Sequence, residues 1–325
     1  MKRIDKRFHL IYLAFFIVLL SLIIVFSLNN CALDLALSKA IVSINDRTRI
    51  SNSHLANFFE VIGVLGLYLF AIFCAFLLEY AIRDNKIISR KVTNMVRIIL
   101  LVLAIGIAIF ASHHLLKVSI FFYTNDYSNP WQKLLSISLF VTIPSGLVIC
   151  YGLYFLANIL AFDKKEAFMF VIFMLTAAFL SFLTVNAIKS FVPRNRYRAM
   201  WFLNDGDFSL FTPWYQKGII QDLPLALSDD FKSFPSGHTT STACLLALSF
   251  MPFYITKTNT KRHVLLLNII PITLVIALMI SRVICGAHFM SDVLIALFIC
   301  SLYFYISNLL YSLIIQKRVL KNVNE

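Results

Sequence analysis

The chain predicts an all-α, polytopic membrane helix bundle, and three observations carry that prediction. Of its 325 residues, 60% are hydrophobic and 14% charged, whereas a soluble domain is about 45–50% apolar and about 25% charged. The apolar residues are gathered into eight stretches of about 20 residues, the length of helix that crosses about 30 Å of hydrocarbon. The Lys and Arg residues punctuate these stretches instead of clustering on a polar surface, so the net charge of +13 does not indicate a nucleic-acid partner.

The first stretch, 9–29, follows Lys2, Arg3, Lys6 and Arg7. Its apolar part is long for a signal peptide and Leu28 to Ala32 offers no small-residue cleavage site, so it reads as a retained anchor. Stretches 55–80, 95–117 and 133–160 follow, the last with Pro144 inside it, which predicts a kinked and tilted helix. The others are 167–188, 238–256, 264–282 and 287–313. An even number of spans puts both termini on one side. With that side cytoplasmic, the inner segments hold 17 of the 29 Lys and Arg, as basic loops should. The inner face then carries about +11 and the outer about +2. Seven outer cations (Lys189, Arg194, Arg196, Arg198, Lys217, Lys232, Arg282) gather in one outer loop or beside it, which calls for a local reason. Six scattered cysteines show no C-x-x-C or Cys/His spacing, so neither a disulfide framework nor a metal site is expected.

Three short pieces would emerge at that same outer face. Lys189 to Arg198 ends the fifth stretch and offers a cationic fork suited to phosphate oxygens. Pro235-Ser236-Gly237-His238 opens the sixth, with a helix start, a permissive glycine and a hydroxyl that together can cradle an anion. Ser281-Arg282 and, further on, His288 and Asp292 link the seventh to the eighth. His288 and Asp292 are four residues apart, so the carboxylate can hold one imidazole nitrogen and leave the other to attack, while His238 is placed to protonate a leaving oxygen. Either histidine alone would read as an interfacial residue; the joint spacing with Lys189, Arg196, Arg282 and Asp292 overrides that reading.

These three pieces resemble the type 2 phosphatidic acid phosphatase superfamily, the lipid phosphate phosphatases that share a site with vanadium haloperoxidases. The family pattern is Lys, six residues, Arg-Pro; then Pro-Ser-Gly-His; then Ser-Arg, five residues, His, three residues, Asp. Lys189 and Arg196 have its spacing, Pro235 to His238 and Ser281, Arg282, His288 and Asp292 match fully, and Tyr197 stands where the family has Pro. Spacing favours Arg196 over Arg194 and Arg198 as the phosphate ligand. The resemblance implies a six-helix phosphatase core, placed mainly over residues 131–315 and with an extracytoplasmic loop 189–235; N-terminal helices over 1–130, the third of them open between core and addition, and a cytoplasmic tail over 316–325 flank it. It further implies His288 as nucleophile, forming a phosphohistidine, His238 as acid, Asp292 as orienter of His288, and Lys189, Arg196, Ser236, Gly237 and Arg282 as phosphate binders. No metal or other cofactor is implied.

The expected activity is hydrolysis of a lipid phosphate or pyrophosphate at the outer face of the membrane. The compact format points to a bacterial plasma membrane. Transfer of the phosphoryl group to a lipid or sugar acceptor needs the same residues. A non-catalytic anionic-lipid binder or transporter would have no use for the His288 and Asp292 pair. Of the remaining polar residues, Glu60 and Glu79 sit near the two ends of the second stretch, where a proton relay is not expected. The acidic residues Asp205, Asp207, Asp222, Asp229 and Asp230 fit no calcium loop. Trp201, Trp214, Tyr197, Tyr215 and Phe211 are expected at the membrane interface.

Overall fold

A computed structural model describes residues 6–44, 51–84, 89–124, 130–159, 163–203, 206–218, 231–254 and 261–324. Among these the structure is helical, with no strand beyond the isolated bridges Ile44 to Ser51 and Arg194 to Lys232. Seven helical segments of the described chain are long and apolar enough to cross a membrane, so the protein is an all-α polytopic membrane bundle.

Helix α1 (Lys6–Ile41) is interrupted at Leu28–Cys31, where Asn29, Asn30 and Cys31 take positive φ. Asparagine tolerates that region better than most residues, and the break falls where the first apolar stretch was expected to end. Beyond it the chain resumes as helix and carries Asp34. The second span is two helices, α2 (His54–Ile62) and α3 (Leu65–Ile82), separated at Gly63 and Val64. The carbonyls left over at that break are taken up by hydroxyls of another helix, as described below.

Helices α4 (Arg90–Thr124) and α5 (Pro130–Ile159) pack together, and Pro144 lies inside α5. At Gly146 a Cβ would come within 2.9 Å of the Ile109 backbone, the close approach that small residues allow between membrane helices. Helix α6 (Lys164–Phe191) starts at an Asp163 cap and ends with Lys189 in its last turn, followed by the short α7 (Tyr197–Leu203).

The sixth expected span, 238–256, is not one long α-helix. It consists of α8 (Gly237–Ala243) and a 3-10 helix (Cys244–Phe253). Because a 3-10 helix rises about 2 Å per residue against about 1.5 Å, these 17 residues still cover about 30 Å. The segment therefore has the reach of a span without the length in residues, and it runs through the centre of the bundle. Ala243, Cys244, Ala247, Phe250 and Met251 are all buried there.

Around it α9 (Lys261–Ile284) and α10 (Met290–Asn324) complete the bundle. Gly66 of α3 lies so close to α8 that a Cβ would sit 2.6 Å from the Ser241 carbonyl. Ser241 Oγ donates to the Val64 carbonyl at 2.7 Å and Thr242 Oγ1 to the Gly63 carbonyl at 2.8 Å. The hydroxyl-rich face of α8 thus satisfies the backbone groups freed by the α2–α3 break. At the opposite end of the bundle, buried Glu79 accepts from Arg83 and Arg97, both at 2.7 Å.

Candidate active site

Helix α9 ends at a turn that the sequence specifies. Gly286 has φ +61°, Ala287 N donates to the Arg282 carbonyl at 3.2 Å, and Gly286 N donates to the Val283 carbonyl at 2.9 Å. This pair of bonds around a left-handed glycine is the Schellman stop, and it fixes where His288 sits relative to Arg282. Gly286→Ala is expected to cost about 1–2 kcal/mol from the left-handed backbone alone. The new Cβ would also come within 2.8 Å of Ile44 Cδ1. A lower melting temperature together with reduced turnover in the purified variant would check this.

His288 is buried, at 1% exposure. Its Nδ1 lies 2.6 Å from the carbonyl oxygen of Ser233. A carbonyl can only accept, so Nδ1 carries a proton, and in the neutral ring Nε2 is then the nitrogen with the lone pair. Burial takes the imidazole down to about 3; Asp292 opposes that fall, and Arg282, Arg196 and Lys189 add to it. The ring is neutral at physiological pH, which is the state a nucleophile needs.

Asp292 was expected to orient His288 directly, and the geometry is less direct. Its Oδ2 is 3.7 Å from His288 Nδ1, beyond hydrogen-bond distance. That oxygen instead accepts from Ser233 Oγ and from Phe289 N at 2.9 Å. The latter bond is the returning half of a capping box at the start of α10. Asp292 therefore secures Ser233, whose carbonyl holds the histidine, and Ser233 is a site residue that sequence reasoning missed.

Arg194 is committed elsewhere. Its Nη1 donates to Asp292 Oδ1 at 2.5 Å and to Ser291 Oγ at 2.9 Å, its Nη2 to Asp34 Oδ2 at 3.0 Å, and its Nε to the Thr212 carbonyl at 2.9 Å. The guanidinium lies over the rings of Phe289 and Phe211, at 4.3 and 5.2 Å. All three residues of the ion triad are fully buried. Asp34 comes from α1 and gives no local sign in the sequence of its pairing.

The other cations converge around α8. Lys189 and Arg196 are half-buried, and Lys189 Nζ lies 3.6 Å from where a Cβ on Gly237 would stand. Tyr197, in place of the family Pro, is the first residue of α7, the helical position at which Pro is favoured. Its ring packs on Phe208 and Phe289. Ser236 is buried and caps α8, its Oγ accepting from Thr239 N at 3.3 Å and from Thr239 Oγ1 at 3.0 Å. His238, half-buried, has Arg282, Glu60, Arg196 and the neutral His288 around it. Arg282 is buried at 1% exposure, with Nη1 2.9 Å from Glu60 Oε1, while Arg198 Nη1 is 3.4 Å from the same oxygen.

The structure thus brings His288, His238, Asp292, Lys189, Arg196, Ser236, Gly237 and Arg282 to one end of the bundle, together with Glu60, Asp34 and Ser233. The aromatic residues of the loop divide. Trp201 and Tyr215 are exposed, whereas Trp214 stacks on Phe234 at 5.4 Å and Phe211 packs on Phe289 at 5.1 Å, closing the loop over the ion triad. Asp207 caps a turn by accepting from Ser209 N at 2.9 Å; Asp205, Asp222, Asp229 and Asp230 lie outside the described residues. Among the described residues no three His, Cys, Asp or Glu side chains come together as metal ligands.

Residues 168–316 match the family model of the PAP2 superfamily. No curated protein and no solved structure matches the chain. The matched region contains all eight expected site residues and excludes Asp34, Glu60 and Gly63.

Proposed function

From the membership of residues 168–316 in the PAP2 superfamily, which consists mainly of phosphatases, we propose that this membrane protein hydrolyses a lipid phosphate or pyrophosphate. The site would face the outer side of a bacterial plasma membrane, with both termini cytoplasmic. The observation that carries the reading is the Nδ1 to Ser233 carbonyl contact at 2.6 Å, which puts a proton on Nδ1 and so leaves Nε2 of the buried, neutral ring as the nitrogen with the lone pair.

In the proposed reaction Nε2 attacks phosphorus as the ester oxygen leaves with a proton from His238. The product is a phosphohistidine. Water, deprotonated by His238, then breaks the P–N bond and returns His288. Lys189, Arg196 and Arg282 would bear the charge of the phosphoryl oxygens, with the Ser236 hydroxyl and the Gly237 N–H completing the cradle. Arg194 has no place in that set, since it is consumed by the ion triad.

A lipid substrate is supported by an apolar cavity of about 300 Å³ between α1, the 3-10 helix, α9 and α10. Its lining includes Met279, one turn before Arg282, and Leu294, two residues beyond Asp292. A head group at the site would leave its chain next to that cavity. The purified protein is expected to release inorganic phosphate from long-chain lipid phosphates with a chelator present, faster than from short soluble esters, and orthovanadate should inhibit it. Activity that is lost in chelator and restored by magnesium would refute the mechanism. Labelled phosphate found in a lipid acceptor instead of water would make the enzyme a transferase.

A further inference from the structure

The charge partner of Arg282 comes from outside the matched region. Glu60 lies on α2, and its Oε1 is 2.9 Å from Arg282 Nη1 and 3.4 Å from Arg198 Nη1. The contact with Arg282 has the distance of an ion pair but not the geometry of a hydrogen bond, because Arg282 Nε and Nη1 are both without a hydrogen-bond acceptor. The Nε and Nη1 donors of the buried guanidinium are therefore still unspent, and a better-placed oxygen would take them. The two partners also differ in freedom: Arg282 is 1% exposed and Glu60 is 15% exposed. One turn beyond Glu60, Gly63 abuts His238, with a Cβ there falling 2.8 Å from the His238 ring.

We infer, on the reading that this site binds phosphate, that the Glu60 carboxylate is the resting counter-ion of Arg282 and is displaced when a phosphoryl group enters. The physical case rests on what a buried charge requires. A guanidinium in this setting is strongly unfavourable without an opposite charge, so the carboxylate is needed before phosphate arrives. A phosphoryl group brings its own negative charge and three strong acceptor oxygens, which suit the unspent donors. Once it is bound, Glu60 is redundant at Arg282 and repels it. The N-terminal helices thereby weaken the grip on every anion that enters, released inorganic phosphate included. Glu60 is on this account a positioning residue that sets affinity and product release, and it takes no part in bond making.

The test separates this role from plain structural support, because the two predict opposite signs. Full-length wild type and Glu60→Gln, purified in detergent, are compared by thermal melting and by inhibition with orthovanadate. Without ligand the variant is expected to melt below wild type. Saturating orthovanadate should raise its melting temperature by more than it raises that of wild type, with inhibition tightened by about 5-fold or more. The inhibition constant for inorganic phosphate should fall in parallel, and kcat should drop while KM also drops. Equal or weaker orthovanadate affinity in Glu60→Gln overturns the inference, since lost support would weaken binding. If orthovanadate neither stabilises nor inhibits wild type, the phosphate-site reading itself fails and the inference with it. Should Glu60→Gln not accumulate, Glu60→Asp withdraws the carboxylate by one methylene while keeping its charge. It is expected to bind orthovanadate more tightly than wild type, and weaker binding there is equally decisive against the inference.

Discussion

His288→Ala is expected to lower phosphate release by at least about 10³-fold while leaving the melting temperature within a few degrees of wild type. The large effect follows because no neighbour can replace the nucleophile. His238 is on a different helix, with Arg282 beside it, and the described site holds no third imidazole. The small effect on stability follows from what the imidazole does for the fold, a single hydrogen bond to the Ser233 carbonyl. Ser233 remains bound to Asp292 and Arg194 without it. Wild type incubated with a labelled lipid phosphate and quenched in alkaline detergent should carry alkali-stable, acid-labile label, and the variant none. Label retained in His288→Ala would move the nucleophile to another residue.

The second large effect is expected at Arg194, and it should be of the opposite kind. Arg194→Met keeps most of the side-chain volume but leaves Asp34 and Asp292 buried without their cation. Removing one member of a buried ionic network costs about 3–5 kcal/mol, enough to lower the apparent melting temperature by roughly 10 °C. Adding Asp34→Asn should recover part of that loss, because it removes one of the stranded carboxylates. Were Arg194 a phosphate ligand, the single variant would instead raise KM with its melting temperature unchanged. Melting curves and Michaelis parameters for the single and double variants distinguish the two.

What the sequence could show, and what it could not, follows from the range over which each signal acts. The turn that places His288 six residues after Arg282 is local, written in one glycine and two main-chain bonds, so a spacing pattern captures it. The apolar stretches are equally local, and seven of the eight are met by helical segments long and apolar enough to cross a membrane. The 3-10 character of Cys244–Phe253 was not legible, because apolar content fixes the burial of a segment and not its rise per residue. Spacing pointed to Arg196, but it could not show that Arg194 belongs to Asp34, a partner 160 positions away. Glu60 was set aside as a helix-end carboxylate for the same reason, since nothing near it in the chain resembles a phosphate motif. Ser233 acts through its main-chain carbonyl, which no side-chain pattern can encode.

The separation between Asp34 and Arg194 also bears on how the protein is made. A chain inserted into the bilayer from its N-terminus delivers Asp34 and Glu60 well before the ribosome has reached Arg194 and Arg282. The early helices therefore wait with carboxylates whose guanidinium partners have not been synthesised. Their guanidinium partners are in place only after α7 and α9 have emerged, so the charge balance of the bundle is completed near the end of translation. A chain truncated before them would be a helix bundle bearing uncompensated acid.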